Sequence, residues 1–143
     1  MSSFTGKTVL ITGGASGIGL LTARKTIARG ASKIILWDID KEGLPAAKKQ
    51  LDTPGVEIIC QPVDITRQKN IIQTAKLLIE QNSLPHFIFN NAGIVKGEDF
   101  VEQSYDDIHQ TIAVNTLGMM YVTRAFLPAM CERQSGHIIN ISS

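Results

Sequence analysis

The sequence predicts an α/β fold in which helices cover both faces of a parallel sheet. Short apolar, β-rich segments alternate with helical segments along the 143 residues, and the strand segments are apolar on both faces. No internal repeat, low-complexity segment or linker interrupts this alternation. The length suits one domain with a substantial core, which we assign to residues 1–143.

The elements follow one another in a regular order. Strands are predicted at residues 7–12, 33–38, 56–64, 86–90 and 137–141. The first helix is predicted at 18–29 with Gly30 as its stop, and the second at 41–51. Right-handed crossovers between parallel strands then give a Rossmann-type doubly wound sheet with strand order 3-2-1-4-5.

The third and fourth helices are predicted from caps and periodicity. Thr66 is the expected N-cap of the third helix. One face of that helix would carry Ile71, Ile72, Ala75, Leu78 and Ile79. Ser104 and Asp107 form a capping-box pattern that would open one long helix, 105–133.

Composition excludes several classes of protein. The net charge is +1 and the basic residues are scattered, which argues against a nucleic-acid surface. Two cysteines and three distant histidines predict neither a disulfide framework nor a metal site. The apolar stretch 111–130 is interrupted by Asn115, Arg124 and Pro128, so we expect a buried helix and no membrane anchor. Without a secretory signal at 1–7, we expect a cytoplasmic protein.

The glycine loop "TGGASGIG" at residues 12–19 lies between the first predicted strand and helix. Gly13 and Gly17 would allow a tight turn and a close approach to a ligand, while Gly19 would let the helix pack near the sheet. Together with Ser16 and Ile18 at the helix start, they predict a pyrophosphate site on free N–H groups. Turns also collect glycine for structural reasons, so the loop alone is a weak signal.

Asp38 ends the second predicted strand, about 20 residues beyond Gly19. A carboxylate there can accept hydrogen bonds from the adenosine ribose hydroxyls and would repel a 2′-phosphate. The next residues, Ile39 and Asp40, bring no compensating positive charge. The sequence therefore favours NAD over NADP as the cofactor, although Asp38 could also simply end a strand.

Four motifs together resemble the short-chain dehydrogenases/reductases. They are "TGGASGIG", "NNAG" at 90–93, Asn115 in "AVNTLG", and the terminal "INISS". Their order and spacing match that family along the whole chain. "LWDI", "FLPAM" and "GHI" look like its branch that handles retinoids and 17-beta-hydroxysteroids.

The resemblance implies roles for individual cofactor-binding residues. Asp64 and the Ile65 backbone would contact the adenine, and Val114 would bind the cofactor as well. The turn at 90–93 would line the adenosine and ribose and stabilise the sheet. Its assigned residues are Asn90, Ala92 and Gly93. A purely structural turn remains the alternative for this motif.

The resemblance also implies two catalytic residues. Asn115 would bend its helix and hold a water of a proton relay, or it would only satisfy a kinked helix. Ser143 would hydrogen-bond the substrate oxygen, with Ser142 as a structural neighbour. The family's acid/base is a tyrosine in Tyr-x-x-x-Lys, where the lysine lowers the tyrosine pKa.

No Tyr-x-x-x-Lys occurs here, because Tyr105 is followed four residues later by His109, Tyr121 by Ala125, and the last lysine is Lys96. The fifth strand would also be an uncovered edge. We therefore expect the chain to be part of a longer polypeptide, inactive by itself. The resemblance implies that the parent protein forms a homodimer or homotetramer.

The function expected for the parent is NAD-dependent hydride transfer between nicotinamide and a lipophilic alcohol or ketone. A nucleotide-binding module without catalysis, either a fragment or a pseudoenzyme, is the alternative that the missing tyrosine and lysine favour. A flavodoxin-like protein with another ligand is a third possibility, which Asp38 and the dinucleotide spacing weaken.

Overall fold

The computed structural model describes residues 3–142, which form one parallel sheet with helices on both faces. The strands are β1 Thr8–Thr12, β2 Lys33–Asp38, β3 Glu57–Pro62, β4 Phe87–Asn90 and β5 His137–Asn140. The helices are α1 Gly17–Ile27, α2 Gly43–Leu51, α3 Gln68–Glu80, α4 Tyr105–Ile112 and α5 Met119–Glu132. The sheet order is β3-β2-β1-β4-β5, so the predicted fold class and strand order are confirmed.

The core lies on both sides of the sheet because successive strand residues point to opposite faces. In β1, Val9 and Ile11 belong to the cluster beneath α1 and α2, whereas Leu10 faces α3 and α5. On that second side the rings of Trp37 and Phe126 lie 5.5 Å apart between centroids. All five side chains are fully buried, each contributing roughly 1.5–3 kcal/mol of apolar burial. A sheet buried on both faces explains why its strands read as continuous apolar runs.

The predicted cap of the third helix is wrong. α3 begins at Gln68 with Arg67 as its N-cap residue, and within the described chain the Arg67 side chain makes no capping hydrogen bond. Thr66 instead donates its hydroxyl to Asp64 Oδ1 at 2.6 Å, and its N–H bonds the same oxygen at 2.9 Å. The local turn at Asp64 therefore uses the hydroxyl that would have capped the helix.

The buried face of α3 is narrower than predicted. Ile71, Ala75 and Leu78 are buried and Ile79 packs at the margin of the core. Ile72, in contrast, is 59% exposed. It lies one position beyond the i, i+4, i+7 row that faces the sheet.

The long helix predicted at 105–133 is interrupted by a π-helical turn, Ala113–Gly118, between α4 and α5. At Gly118 a Cβ would lie 2.6 Å from Cδ1 of Ile65, so the backbone there comes unusually close to the segment after β3. The predicted capping box of α4 is confirmed. Ser104 accepts the Asp107 N–H at 3.1 Å and donates its hydroxyl to the Asp107 carboxylate at 2.6 Å.

None of the helices found in residues 3–142 is both long enough and apolar enough to cross a membrane.

Candidate functional site

A cavity of about 780 Å³ opens at the carboxyl ends of the strands. Parallel sheets bind ligands at this edge, where the strand order reverses, here between β1 and β4. The volume lies within the range of small-molecule and cofactor sites. Within residues 3–142, ten predicted site residues line the cavity: Gly13, Ser16, Gly17, Ile18, Asp38, Asp64, Ile65, Ala92, Gly93 and Val114.

The glycine loop forms one wall of the cavity. Gly13 has φ +65°, and a Cβ there would lie 3.0 Å from Cα of Ala92. A Cβ on Gly19 would lie only 2.1 Å from the carbonyl oxygen of Gly13, so α1 packs directly on the loop. Gly17 has φ +52°, and its Cβ position has no neighbour within 4 Å among residues 3–142. Gly13 and Gly19 thus hold the loop together, while Gly17 leaves room for a ligand.

The amino end of α1 suits a phosphate-bearing ligand. Ser16 is the N-cap residue, and its side chain makes no capping bond within the described part of the chain. The first-turn N–H groups of a helix lack intrahelical acceptors and carry the positive end of the helix dipole. No acidic residue occurs in this described turn to compete for them. The chemistry of this wall therefore fits the pyrophosphate of a dinucleotide.

Asp38 connects the end of β2 to the glycine loop. Its Oδ2 accepts the Ala15 N–H at 2.9 Å, and its Oδ1 accepts the Asp40 N–H at 3.0 Å. A carboxylate has about four acceptor positions, so these two bonds leave capacity for ribose hydroxyls. The carboxylate is thus fixed in orientation at the cavity wall before any ligand arrives.

Asp64 follows β3 and lines the cavity beside Ile65. Burial acts to raise the pKa of Asp64, but bonds from the Thr66 hydroxyl and N–H and the charge of Arg67 outweigh it. The pKa of Asp64 is therefore held below its usual value, and the group stays ionised at neutral pH. Arg67 Nε lies 3.2 Å from Asp64 Oδ2.

The turn after β4 is bonded to β1 through two residues that the sequence analysis did not select. Thr12 Oγ1 accepts the N–H groups of Asn91 and Ala92, both at 3.0 Å. Asn91 Nδ2 donates to the carbonyl oxygens of Thr12 and Gly13 at 3.0 and 3.2 Å. Both residues lie inside the quoted motifs, and this position in the sequence could have identified them. Thr12 and Asn91 thus join the glycine loop to the "NNAG" turn. We call this junction of Thr12 with Asn91 and Ala92 the cavity floor.

Further cavity residues were also missed. They are Trp37, Ile39, Val63, Thr66, Ile94, His109, Gln110 and Ala113. Most are neighbours of predicted residues along a strand end. His109 and Gln110 come from α4, whose approach to the cavity depends on tertiary packing that no local pattern reveals.

Three predicted site residues lie outside the cavity lining. Gly19 lies behind the loop, Asn90 is buried at the end of β4, and Asn115 lies in the π-helical turn. Asn115 Oδ1 accepts the Ile94 N–H and its Nδ2 donates to the Ile94 carbonyl, both at 2.8 Å. These two bonds tie the π-helical turn to the segment after the "NNAG" turn. Ser143 lies outside the described residues.

Residues 7–143 match the sequence model of the short chain dehydrogenase family. Estradiol 17-beta-dehydrogenase 11 of Homo sapiens is 37% identical over 141 residues, a match covering 99% of this chain and 47% of that protein. The chain spans about half the length of the curated relatives it matches.

Solved structures of similar proteins share the fold. NAD+-bound xylitol dehydrogenase superposes with a TM-score of 0.92 at 29% identity, covering 99% of this chain and 55% of that one. A metagenomic short-chain oxidoreductase in complex with NADP gives a TM-score of 0.90 at 32% identity, covering 99% and 64%.

Proposed function

Because the chain belongs to the short chain dehydrogenase family, we propose that residues 1–143 form the dinucleotide-binding domain of an NAD-dependent oxidoreductase. Its reaction is hydride transfer between nicotinamide and an alcohol or ketone. The observation that carries this proposal is the Asp38 carboxylate, bonded to the glycine loop at one wall of the cavity. The NAD and NADP complexes of the structural neighbours support a nicotinamide dinucleotide as the ligand class.

Each wall has its own part in cofactor binding. The amino end of α1 holds the pyrophosphate, and Asp38 accepts the ribose hydroxyls. Asp64, Ile65 and Val114 hold the adenine end, while the turn at 90–93 lines the adenosine and ribose. When bound, the dinucleotide supplies the hydride chemistry that side chains lack.

Ser143 and Asn115 are the proposed catalytic residues. Ser143 hydrogen-bonds the substrate oxygen, and Asn115 holds a water of the proton relay. The 143 residues contain no Tyr-x-x-x-Lys, so we propose that this chain by itself binds dinucleotide without turnover. The same fact favours the second candidate, a binding module without catalysis. Full-length protein that binds NAD tightly yet oxidises no alcohol of a broad panel would support that second candidate.

Cofactor choice is the sharpest test of the binding site. Two like charges 4 Å apart repel by about 4 kcal/mol at an effective dielectric of about 20, so Asp38 disfavours a 2′-phosphate. Asp38→Asn keeps an oxygen for the Ala15 N–H and removes the charge. We expect NADP affinity to rise at least about tenfold relative to NAD, which is about 1.4 kcal/mol.

Calorimetric titration of both cofactors into the wild type, Asp38→Asn and a matched control measures this change. Asp52→Asn removes the same charge at the far end of α2, away from the cavity, and should leave the ratio unchanged. An unaltered NAD/NADP ratio in Asp38→Asn would remove Asp38 from the ribose site. Failure of the wild type to bind either cofactor would refute the proposed function.

For the substrate we propose a lipophilic alcohol or ketone of the steroid or retinoid kind. The support is the 37% identity to a protein named estradiol 17-beta-dehydrogenase 11. NAD reduction by full-length protein should be faster with estradiol or retinol than with xylitol. Faster oxidation of xylitol would instead favour a polyol substrate, in line with the structural neighbour named xylitol dehydrogenase.

We also propose that the parent protein is a homodimer or homotetramer. Four large apolar side chains on α4, the π-helical turn and α5 support this, since each is more than a third exposed. They are Ile112, Leu117, Met120 and Leu127. Sedimentation equilibrium of the full-length protein measures the state, and a monomer at micromolar concentration would contradict the proposal.

A further inference from the structure

Asn90 is the last residue of β4, and its side chain joins three elements. Its Nδ2 donates to Thr123 Oγ1 on α5 at 3.0 Å and to Asn140 Oδ1 at the end of β5 at 2.8 Å. Asn90 and Asn140 are also paired in the parallel register of the two strands. The residue is 2% exposed. We name Asn90, Thr123 and Asn140 the amide clamp.

The backbone of Asn90 adds a further bond at the same point. Its carbonyl oxygen accepts the Ile141 N–H at 3.0 Å, immediately after β5 ends. Asn90 therefore holds two successive residues of the departing chain, Asn140 through its side chain and Ile141 through its backbone. Its Oδ1 is buried and has no partner within residues 3–142, so the amide is oriented by its nitrogen alone.

The clamp matters because β5 is short. The strand has four residues, and within the described sheet it pairs with β4 only. A four-residue strand forms few ladder bonds, so each additional bond is a larger share of what fixes its end. A buried donor that loses its acceptor also retains its full desolvation penalty.

We propose that Thr123 and Asn140 are positioning residues that act through the buried amide of Asn90 to fix the direction in which the chain leaves β5. Ser143 is the third residue after Asn140, so this direction determines where the serine's segment begins. The role in catalysis rests on the proposed function. Asn91 and Ala92, which follow Asn90 directly, bond Thr12 at the cavity floor. The clamp therefore ties the serine's segment to the floor of the cofactor cavity.

The test uses two pairs of variants in the full-length protein. Thr123→Val and Asn140→Leu remove the two acceptors while keeping similar shapes. Thr123→Ser and Asn140→Asp keep an acceptor oxygen at each position and serve as matched controls. Amide hydrogen exchange is followed at Ile141, whose N–H bonds Asn90, and at Ile35 in the middle of the sheet.

We expect Thr123→Val and Asn140→Leu each to speed exchange at Ile141 at least about tenfold, with Ile35 nearly unchanged. The Ser and Asp variants should stay near the wild type. Equal acceleration at both amides would mean general destabilisation and would overturn the proposal. So would unchanged exchange at Ile141, or controls that behave like Val and Leu.

A kinetic measurement extends the test to catalysis, with estradiol as the probe substrate and NAD in excess. The positioning role predicts a lower kcat in Thr123→Val and Asn140→Leu with NAD affinity unchanged, and recovery in the conservative variants. Normal kcat alongside faster Ile141 exchange would overturn the catalytic part of the inference. Wild-type protein that binds no NAD would refute the proposed function. The hydrogen-exchange result would then still test whether the amide clamp fixes the end of β5.

Discussion

Thr12 provides the most direct test of how the cavity floor is held. Its hydroxyl oxygen accepts the N–H groups of Asn91 and Ala92, and the residue is 1% exposed. Thr12→Val has almost the same shape and β-branching but no hydroxyl, so both donors lose their acceptor. A buried donor left without an acceptor costs about 1–3 kcal/mol, and two donors are affected here. Because water partly reaches the half-buried turn, we expect the free energy of unfolding to fall by about 2–4 kcal/mol.

Urea unfolding measures this loss. With a slope of about 2 kcal/mol/M, the midpoint should fall by about 1–2 M in Thr12→Val. Thr12→Ser is the matched control, because it keeps the hydroxyl and loses one buried methyl group. It should lower stability by about 1 kcal/mol, or about 0.5 M. If serine proves as damaging as valine, the methyl group and not the hydrogen bonds holds the floor, and the reasoning fails.

Two further predictions concern pH and the glycine loop. Burial, with the charges of nearby cations, lowers the pKa of His86 below 6.5, and its Nδ1 accepts the Thr8 N–H at 3.1 Å. The unfolded chain then binds more protons, so the free energy of unfolding should decrease as pH falls through about 6.5. Urea titrations at several pH values measure this dependence, and His86→Asn should weaken it. Gly19→Ala would set a Cβ 2.1 Å from the Gly13 carbonyl oxygen and should weaken NAD binding more than about tenfold, or about 1.4 kcal/mol. Gly97→Ala, at an open position, is the calorimetric control, and equal affinities in the two variants would contradict the loop geometry.

Local signals predicted much of the fold. The bounds of β2, Lys33–Asp38, were predicted to the residue, because an apolar run ends there in a charged side chain. The Ser104–Asp107 cap was predicted for a similar reason, since both partners lie within one turn of the chain. The remaining strand bounds differ from the prediction by one or two residues at their ends.

Tertiary contacts determined what the sequence did not reveal. The π-helical turn that interrupts the long helix makes two contacts with distant parts of the chain. Gly118 lies close to Ile65, and the side chain of Asn115 bonds the backbone of Ile94. Thr66 has the residue type of a cap, yet the neighbouring carboxylate of Asp64 takes its hydroxyl. The predicted residues make up about half of the described cavity lining, whereas His109 came from a helix whose position depends on packing.

The π-helical turn also sets the rotational phase of everything that follows it. A helix turns about 100° per residue, so a wide turn that takes in one extra residue shifts the downstream faces by that angle. Val122, Phe126 and Met130 repeat every four residues and point into the core only in this phase. Rewinding Ala113–Gly118 as regular α-helix with every residue kept would rotate this row by about 100° toward the flank. The π-helical turn thus allows α4 to face the cavity and α5 to face the sheet within one continuous helical segment.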